Sequence, residues 1–208
     1  MAPVYLPIFP LPDLTFFPHT FLPLHIFEAR YRAMVTDCLA RDRRLAVVGL
    51  KPGYEPIYNG KPPVHAIAGA GRIVQCERLA TGRFNIVLRG EGRIRIEREV
   101  PTDTLYRMVV ASPLVEVGAD GPGVRALSAG VRARCCRVLE AVGRSTAEIR
   151  EALEALGSAG DLCDQVAAAL IPEAPARQAL LEELHVERRL ERLAAALDDL
   201  LKQLDRGR

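Results

Sequence analysis

The chain has 208 residues, 49% of them hydrophobic and 26% charged, and its 28 basic residues nearly cancel 26 acidic ones. That is enough apolar material for a buried core in one large domain or two small ones. The balance lacks any run of five like charges, which leaves out the basic face or tail on which duplex binding draws, and with no stretch of eighteen apolar residues a membrane-spanning helix is not expected.

Met1 to Leu14 carries four prolines and no basic segment ahead of an apolar run, so it does not read as a signal peptide. Tyr5 to Pro12 is too proline-dense for a helix and suits an edge strand followed by turns. Short extended pieces follow around Phe16-Phe17-Pro18-His19 and Pro23 to Phe27. A helix is predicted from about Glu28 to Arg41, because Tyr31, Met34, Val35, Cys38 and Leu39 recur at helical spacing. Leu45 to Leu50 is a continuous apolar run and reads as a buried strand. Residues 51–63, rich in Gly, Pro, Asn and Tyr, read as a loop.

Ala66 to Leu79 is the next strand region, with Gly69 and Gly71 marking a bulge or a close backbone approach. Phe84 to Leu88 and Arg93 to Ile96 read as two strands joined by a turn at Gly90-Glu91-Gly92. Tyr106 to Ala111 closes the series. Short strands with turns between them and one helix describe a curled sheet or barrel. All six phenylalanines and all five tyrosines lie before residue 107. Alanine, leucine, glutamate and arginine dominate after residue 115, so the chain divides into a β-rich part, 1–117, and a helical part, 118–208.

In the second part, Val124 to Val142 reads as one helix. Ser145 to Glu148 has a capping-box pattern that starts another of about ten residues, ending near Gly157. Asp161 is the expected cap of a third, and Pro175 the start of a last one. In that last helix Val186, Leu190, Leu193, Leu197, Leu200 and Leu204 form an a/d stripe. The stripe is short, so a bundle interior is favoured over a dimeric coiled coil.

The familiar catalytic patterns are missing. Gly60-Lys61 is followed by Pro62, so there is no phosphate-binding P-loop. Gly69-Ala70-Gly71 and Gly90-Glu91-Gly92 both lack the third glycine of a dinucleotide fingerprint. Cys38, Cys76, Cys135, Cys136 and Cys163 form neither a Cys-x-x-Cys pair nor an even disulfide set. Reduced thiols in a cytoplasmic protein are the expectation. Cys38 with His25 as base is a conceivable nucleophile pair, but Cys38 falls on the apolar helix face. The three lysines, Lys51, Lys61 and Lys202, have no serine in a catalytic setting. No cofactor and no metal is expected. Arginines from Arg72 to Arg107 cluster in the β region, offset by Glu77, Glu91, Glu97, Glu99 and Asp103, as on a solvated sheet face.

A family resemblance adds to this. Leu6-Pro7-Ile8-Phe9-Pro10-Leu11-Pro12, Phe17-Pro18 and Leu22 to Tyr31 resemble the opening of the Lon protease N-terminal domain. Asp42 to Val48, Gly71 to Val74 and Gly82 to Gly90 look like its following strands. Ala179 to Leu184 and Glu187 to Leu193 resemble its closing helix. The resemblance implies an α+β fold, a PUA-like β-barrel followed by a C-terminal α-helical bundle. It also implies a stand-alone, non-catalytic module that recognises unfolded or specific polypeptides, without the family's ATPase and peptidase domains and with no catalytic residue to carry over. A protease or chaperone is the implied companion, and nucleic acid and membrane are not expected partners. The assembly is expected to be a monomer or homodimer. Candidate polypeptide contacts are Phe16, Phe17, Phe21, Tyr54 and Tyr58, exposed aromatics beside polar edges being suited to extended apolar segments. Two other readings stand beside it: an RNA-binding PUA-like protein using Arg93 and Arg95, and a small-molecule or enzymatic site around His25 and Glu28.

Overall fold

Two prolines inside the first strand dictate how it pairs. The computed structural model describes residues 3–58 and 60–206, and Val4–Leu11 forms β1. It pairs antiparallel with β6 (Arg107–Leu114) through residues 4–8 and parallel with β3 (Arg44–Gly49) through residues 8–11. The two pairings overlap only at Ile8. Pro7 therefore faces one neighbour and Pro10 the other, and neither must donate to two ladders. The expected edge strand is an interior one, each half of which is edge-like.

The remaining strands are β2 (Phe21–Ile26), β4 (Ile67–Arg78) and β5 (Phe84–Val100). The sheet order is β2-β5-β4-β3-β1-β6, and an additional β5–β6 pairing closes it into a barrel. Helix α1 (Ala29–Leu39) lies between β2 and β3 in sequence, and its buried face is Tyr31, Met34, Val35 and Cys38, as the spacing predicted. A short 3-10 helix, Glu55–Ile57, interrupts the loop after β3.

The β unit has two apolar clusters. Phe9, Leu45, Val47, Phe84, Ile86 and Leu88 pack with the buried face of α1. Leu6, Ile8, Ala46, Val48, Ala68 and Ile94 form the second cluster with Val109 and Ala111. Alternate residues of β3 thus serve opposite faces, and both faces are buried, which is why Leu45 to Val48 is apolar throughout.

The expected turn at Gly90-Glu91-Gly92 is not a turn. Phe84–Val100 is one strand that leaves the first cluster at Leu88 and enters the second at Ile94. The glycines sit at the crossing, where a Cβ on Gly90 would overlap the Phe17 carbonyl. The β4–β5 register slips between Ala70 and Gly71, as Gly69 and Gly71 foretold, so Glu91 is the extra residue. Its carboxylate accepts from Arg44 Nε at 2.9 Å and Arg72 Nε at 3.1 Å.

The chain divides into two units, Met1–Leu114 and Val115–Arg208. The helical unit contains α2 (Val124–Ala141), α3 (Ala147–Glu154), α4 (Ala159–Leu170), α5 (Ala174–Glu182) and α6 (Val186–Arg206). Residues 115–117 belong to it because Val117 bridges to His185 and the Val117 N–H donates to the Leu184 carbonyl. Three local expectations are corrected. Thr146, not Ser145, precedes α3, and no side chain caps it. Ser158, not Asp161, caps α4, its hydroxyl accepting from the Asp161 N–H at 3.0 Å. The helix expected from Pro175 onward is two helices, because the Glu183 carboxylate takes the His185 N–H and Val117 takes that of Val186.

The buried stripe of α6 is Val186, Leu190, Leu193, Leu197 and Leu201, so a straight helix drifts off the heptad, leaving Leu200 and Leu204 half-buried. Each of these buried leucines contributes roughly 2 kcal/mol. Helix α6 packs against α2, α4 and α5. No helix among the described residues is long and apolar enough to cross a membrane.

Candidate functional site

The first turn of α1, the loop after β3 and the start of β6 bring three cation-bearing segments to one place in the β unit. A pocket of about 190 Å³ lies there, lined in part by Arg30, Tyr31, Tyr58, Lys61, Leu105 and Arg107. The Arg30 guanidinium stands 4.6 Å from the Tyr31 ring centroid and 5.5 Å from that of Tyr58. Both are cation–π distances. Its Nε also donates to Glu28 at 3.0 Å. Arg107 donates from Nη1 to the Pro62 carbonyl at 2.8 Å and from Nη2 to Glu99. Lys61 is exposed and has no ion-pair or hydrogen-bond partner among the described residues.

The pocket floor is neutral at physiological pH. Burial pushes the Tyr31 phenol up to about 12, against the pull of Arg30. Tyr106 is likewise pushed up to about 12, by burial and by its donation to Asp37 at 2.7 Å. Neither supplies a phenolate. A cationic rim on an aromatic floor can hold and orient an anionic group.

The aromatic residues singled out in the sequence do not converge. Phe16 and Phe17 are 2% and 0% exposed. They belong to the interior rather than to a contact surface, a correction forced by their approach to Gly69 and Gly90. Phe21 is 66% exposed at the start of β2. Tyr54 and Tyr58 are half-buried, with ring centroids 6.1 Å apart, and only Tyr58 borders the pocket. Arg30, Lys61 and Arg107 carried no sequence signal of their own. They lie far apart in the chain and meet only in the folded β unit.

The suggested reactive pair does not form. The His25 ring Nδ1 lies 2.8 Å from Asn85 Oδ1. Cys38 is buried, its thiol directed at the Arg44 carbonyl, and burial pushes its pKa up to about 12. A thiol so held is protonated and a poor nucleophile. Of the two arginines on which the RNA reading rests, Arg93 is buried and only Arg95 is exposed. Among the described residues no group of three potential ligands is placed to hold a metal ion.

The model of the ATP-dependent protease La (LON) substrate-binding domain matches residues 5–199. The chain belongs to that family. Lon protease 4 of Sorangium cellulosum is 30% identical over 96% of this chain and 25% of its own length. Lon protease 1 of Syntrophobacter fumaroxidans is 26% identical over 90% of this chain and 23% of its own. The chain thus spans about a quarter of the curated Lon relatives it matches. The N-terminal domain of a Mycobacterium avium complex Lon protease superposes with a TM-score of 0.76, at 21% identity, over 94% of this chain and 99% of that one. A Lon N-terminal domain protein from Xanthomonas campestris gives a TM-score of 0.66 at 25% identity, covering 92% and 98%. The α+β architecture, with a helical C-terminal part, is that of Lon N-terminal domains.

Proposed function

We propose that this chain is a non-catalytic polypeptide-binding module that engages unfolded or specific polypeptides in the cytoplasm, alongside a protease or chaperone. The observation that carries the reading is the match, over nearly the whole length, to a domain described as substrate-binding. The geometry of the β unit supports it. Among the described residues strand β2 pairs with β5 alone, and Phe21 and Phe27, at and just beyond its ends, are 66% and 59% exposed. An unpaired strand edge flanked by exposed aromatics suits an extended segment, whose main chain can add to the ladder.

The test is fluorescence anisotropy with labelled, reduced and carboxymethylated α-lactalbumin, beside a casein degradation assay with ATP. Saturable binding that weakens in the Phe21→Ser/Phe27→Ser protein, with casein left intact, is the expected result. Absence of binding, or ATP-dependent loss of casein, overturns the proposal.

A further inference from the structure

We infer that the Arg30–Lys61–Arg107 pocket is a receptor for a carboxylate carried on a bound polypeptide. This rests on the polypeptide-binding reading and specifies its chemistry. The first support is charge. Arg30, Lys61 and Arg107 face the carboxylates of Glu28 and Glu99, so the site holds one more cation than anions. The surplus is Lys61, which is exposed and unpartnered among the described residues.

The second support is organisation. Stacking against Tyr31 and Tyr58 fixes the Arg30 plane before any ligand arrives. Arg107 is fixed by Pro62 and Glu99, and its Nε remains buried without a hydrogen-bond acceptor. Guanidinium groups held in this way recognise planar anions at low entropic cost. The third support is the wall. Leu50 is buried, whereas Leu105, at the mouth, is 68% exposed. An apolar rim beside a cationic centre fits a residue carrying both a side chain and a carboxylate. A volume of about 190 Å³ is below the ~300–1,000 Å³ of a drug-sized ligand site.

The carboxylate comes either from the chain terminus or from an Asp or Glu side chain, and four decapeptides of Gly, Ser, Ala and Leu, each labelled at its N-terminus with uncharged dansyl, separate these sources. One ends in a free carboxylate, the second is its amide, the third is the amide with one internal Glu, and the fourth carries Gln there. We expect the first or the third to bind roughly tenfold more tightly than the neutral pair, the worth of one charge-assisted hydrogen bond. Whichever it is identifies the source. Lys61→Gln, at an exposed position, and Arg30→Gln should each reduce that preference severalfold, with the thermal melt of the Lys61→Gln protein unchanged.

Equal binding of all four peptides overturns the pocket assignment and leaves the polypeptide-binding reading standing. So does a preference that survives Lys61→Gln. If neither the peptides nor carboxymethylated α-lactalbumin bind, both readings fall. Equal or tighter binding of a single-stranded RNA decamer would replace the carboxylate with a phosphate and also overturn the assignment.

Discussion

In the helical unit Arg189 is sealed, at 0% exposed, whereas in the β unit Arg30 and Arg107 border an open pocket. Arg189 donates from Nη2 to Glu116 at 2.5 Å and from Nη1 to the Glu183 carbonyl at 3.3 Å, and its Nε lies 3.8 Å from the buried Asp164. Burial alone would lower its pKa, but Asp164 and Glu116 outweigh that and hold it above the usual value. Every partner is a group of the same unit. Arg30 and Arg107 are held by one carboxylate each and leave a neighbouring lysine uncommitted. The same side chain is a structural clamp where two acids enclose it and a recognition element where charge is left over.

Removing the clamp is the largest change available. Arg189→Met removes the cation that faces Asp164 and Glu116, and a broken buried ion pair costs about 3–5 kcal/mol. Urea unfolding followed by circular dichroism should show a loss of that size. Adding Asp164→Leu should recover part of it, because an apolar pair of similar volume carries no desolvation penalty. A loss under about 1 kcal/mol would put Arg189 in the class of solvent-screened surface pairs and erase the contrast with the pocket arginines.

A second break acts on the β unit alone. A Cβ on Gly69 would overlap the Phe16 carbonyl and crowd its Cβ at 3.1 Å. Gly69→Ala must push backbone against backbone, and overpacking of this kind costs about 1–3 kcal/mol. The loss should appear in the same urea experiment, with the helical unit's far-ultraviolet signal retained longest. A neutral substitution would mean that the Phe16 segment shifts freely, and with it the floor on which β4 rests.

Much of this was legible before the structure. The helical spacing of Tyr31, Met34, Val35 and Cys38 placed α1 and its buried face, because one periodicity decided both. The glycines of β4 signalled a close approach, though not that Phe16 was the residue approaching. Phe16 and Phe17 were misjudged for the same reason. Their neighbours in sequence are polar or turn-forming, and only the packing of β4 and β5 buries them. Gly90 and Gly92 looked like a turn since local chemistry cannot distinguish a turn from a long strand crossing between two cores. Arg189 sits between Arg188 and Leu190 with nothing local to mark it, for its partners come from residues 116 and 164. The pocket was least legible, since Arg30, Lys61 and Arg107 are assembled by barrel closure and by no spacing in the chain.

The smallest effect separates the units by pH and is absent at neutrality. Burial pushes Tyr31, Cys38 and Tyr106 of the β unit up to about 12, and Cys135 of the helical unit up to about 11. Each is an acid whose folded pKa lies above its unfolded one, so the folded state binds more protons as alkali is added. Their contribution is complete below the unfolded values, and it is lost as pH rises through the folded ones. Stability should therefore hold to about pH 9 and then fall, since unfolded thiols and phenols titrate near 8.5–10. With three such groups against one, the β unit should yield first. Tyrosinate absorbance near 295 nm would show two late-titrating phenols whose ionisation coincides with loss of sheet signal. At neutral pH, Ellman's reagent should find Cys76, the exposed thiol, well before the four buried ones. Early ionisation of Tyr31 or Tyr106 would mean that the pocket floor is wet, and a wet floor would weaken the fixed Arg30 stack on which carboxylate recognition depends.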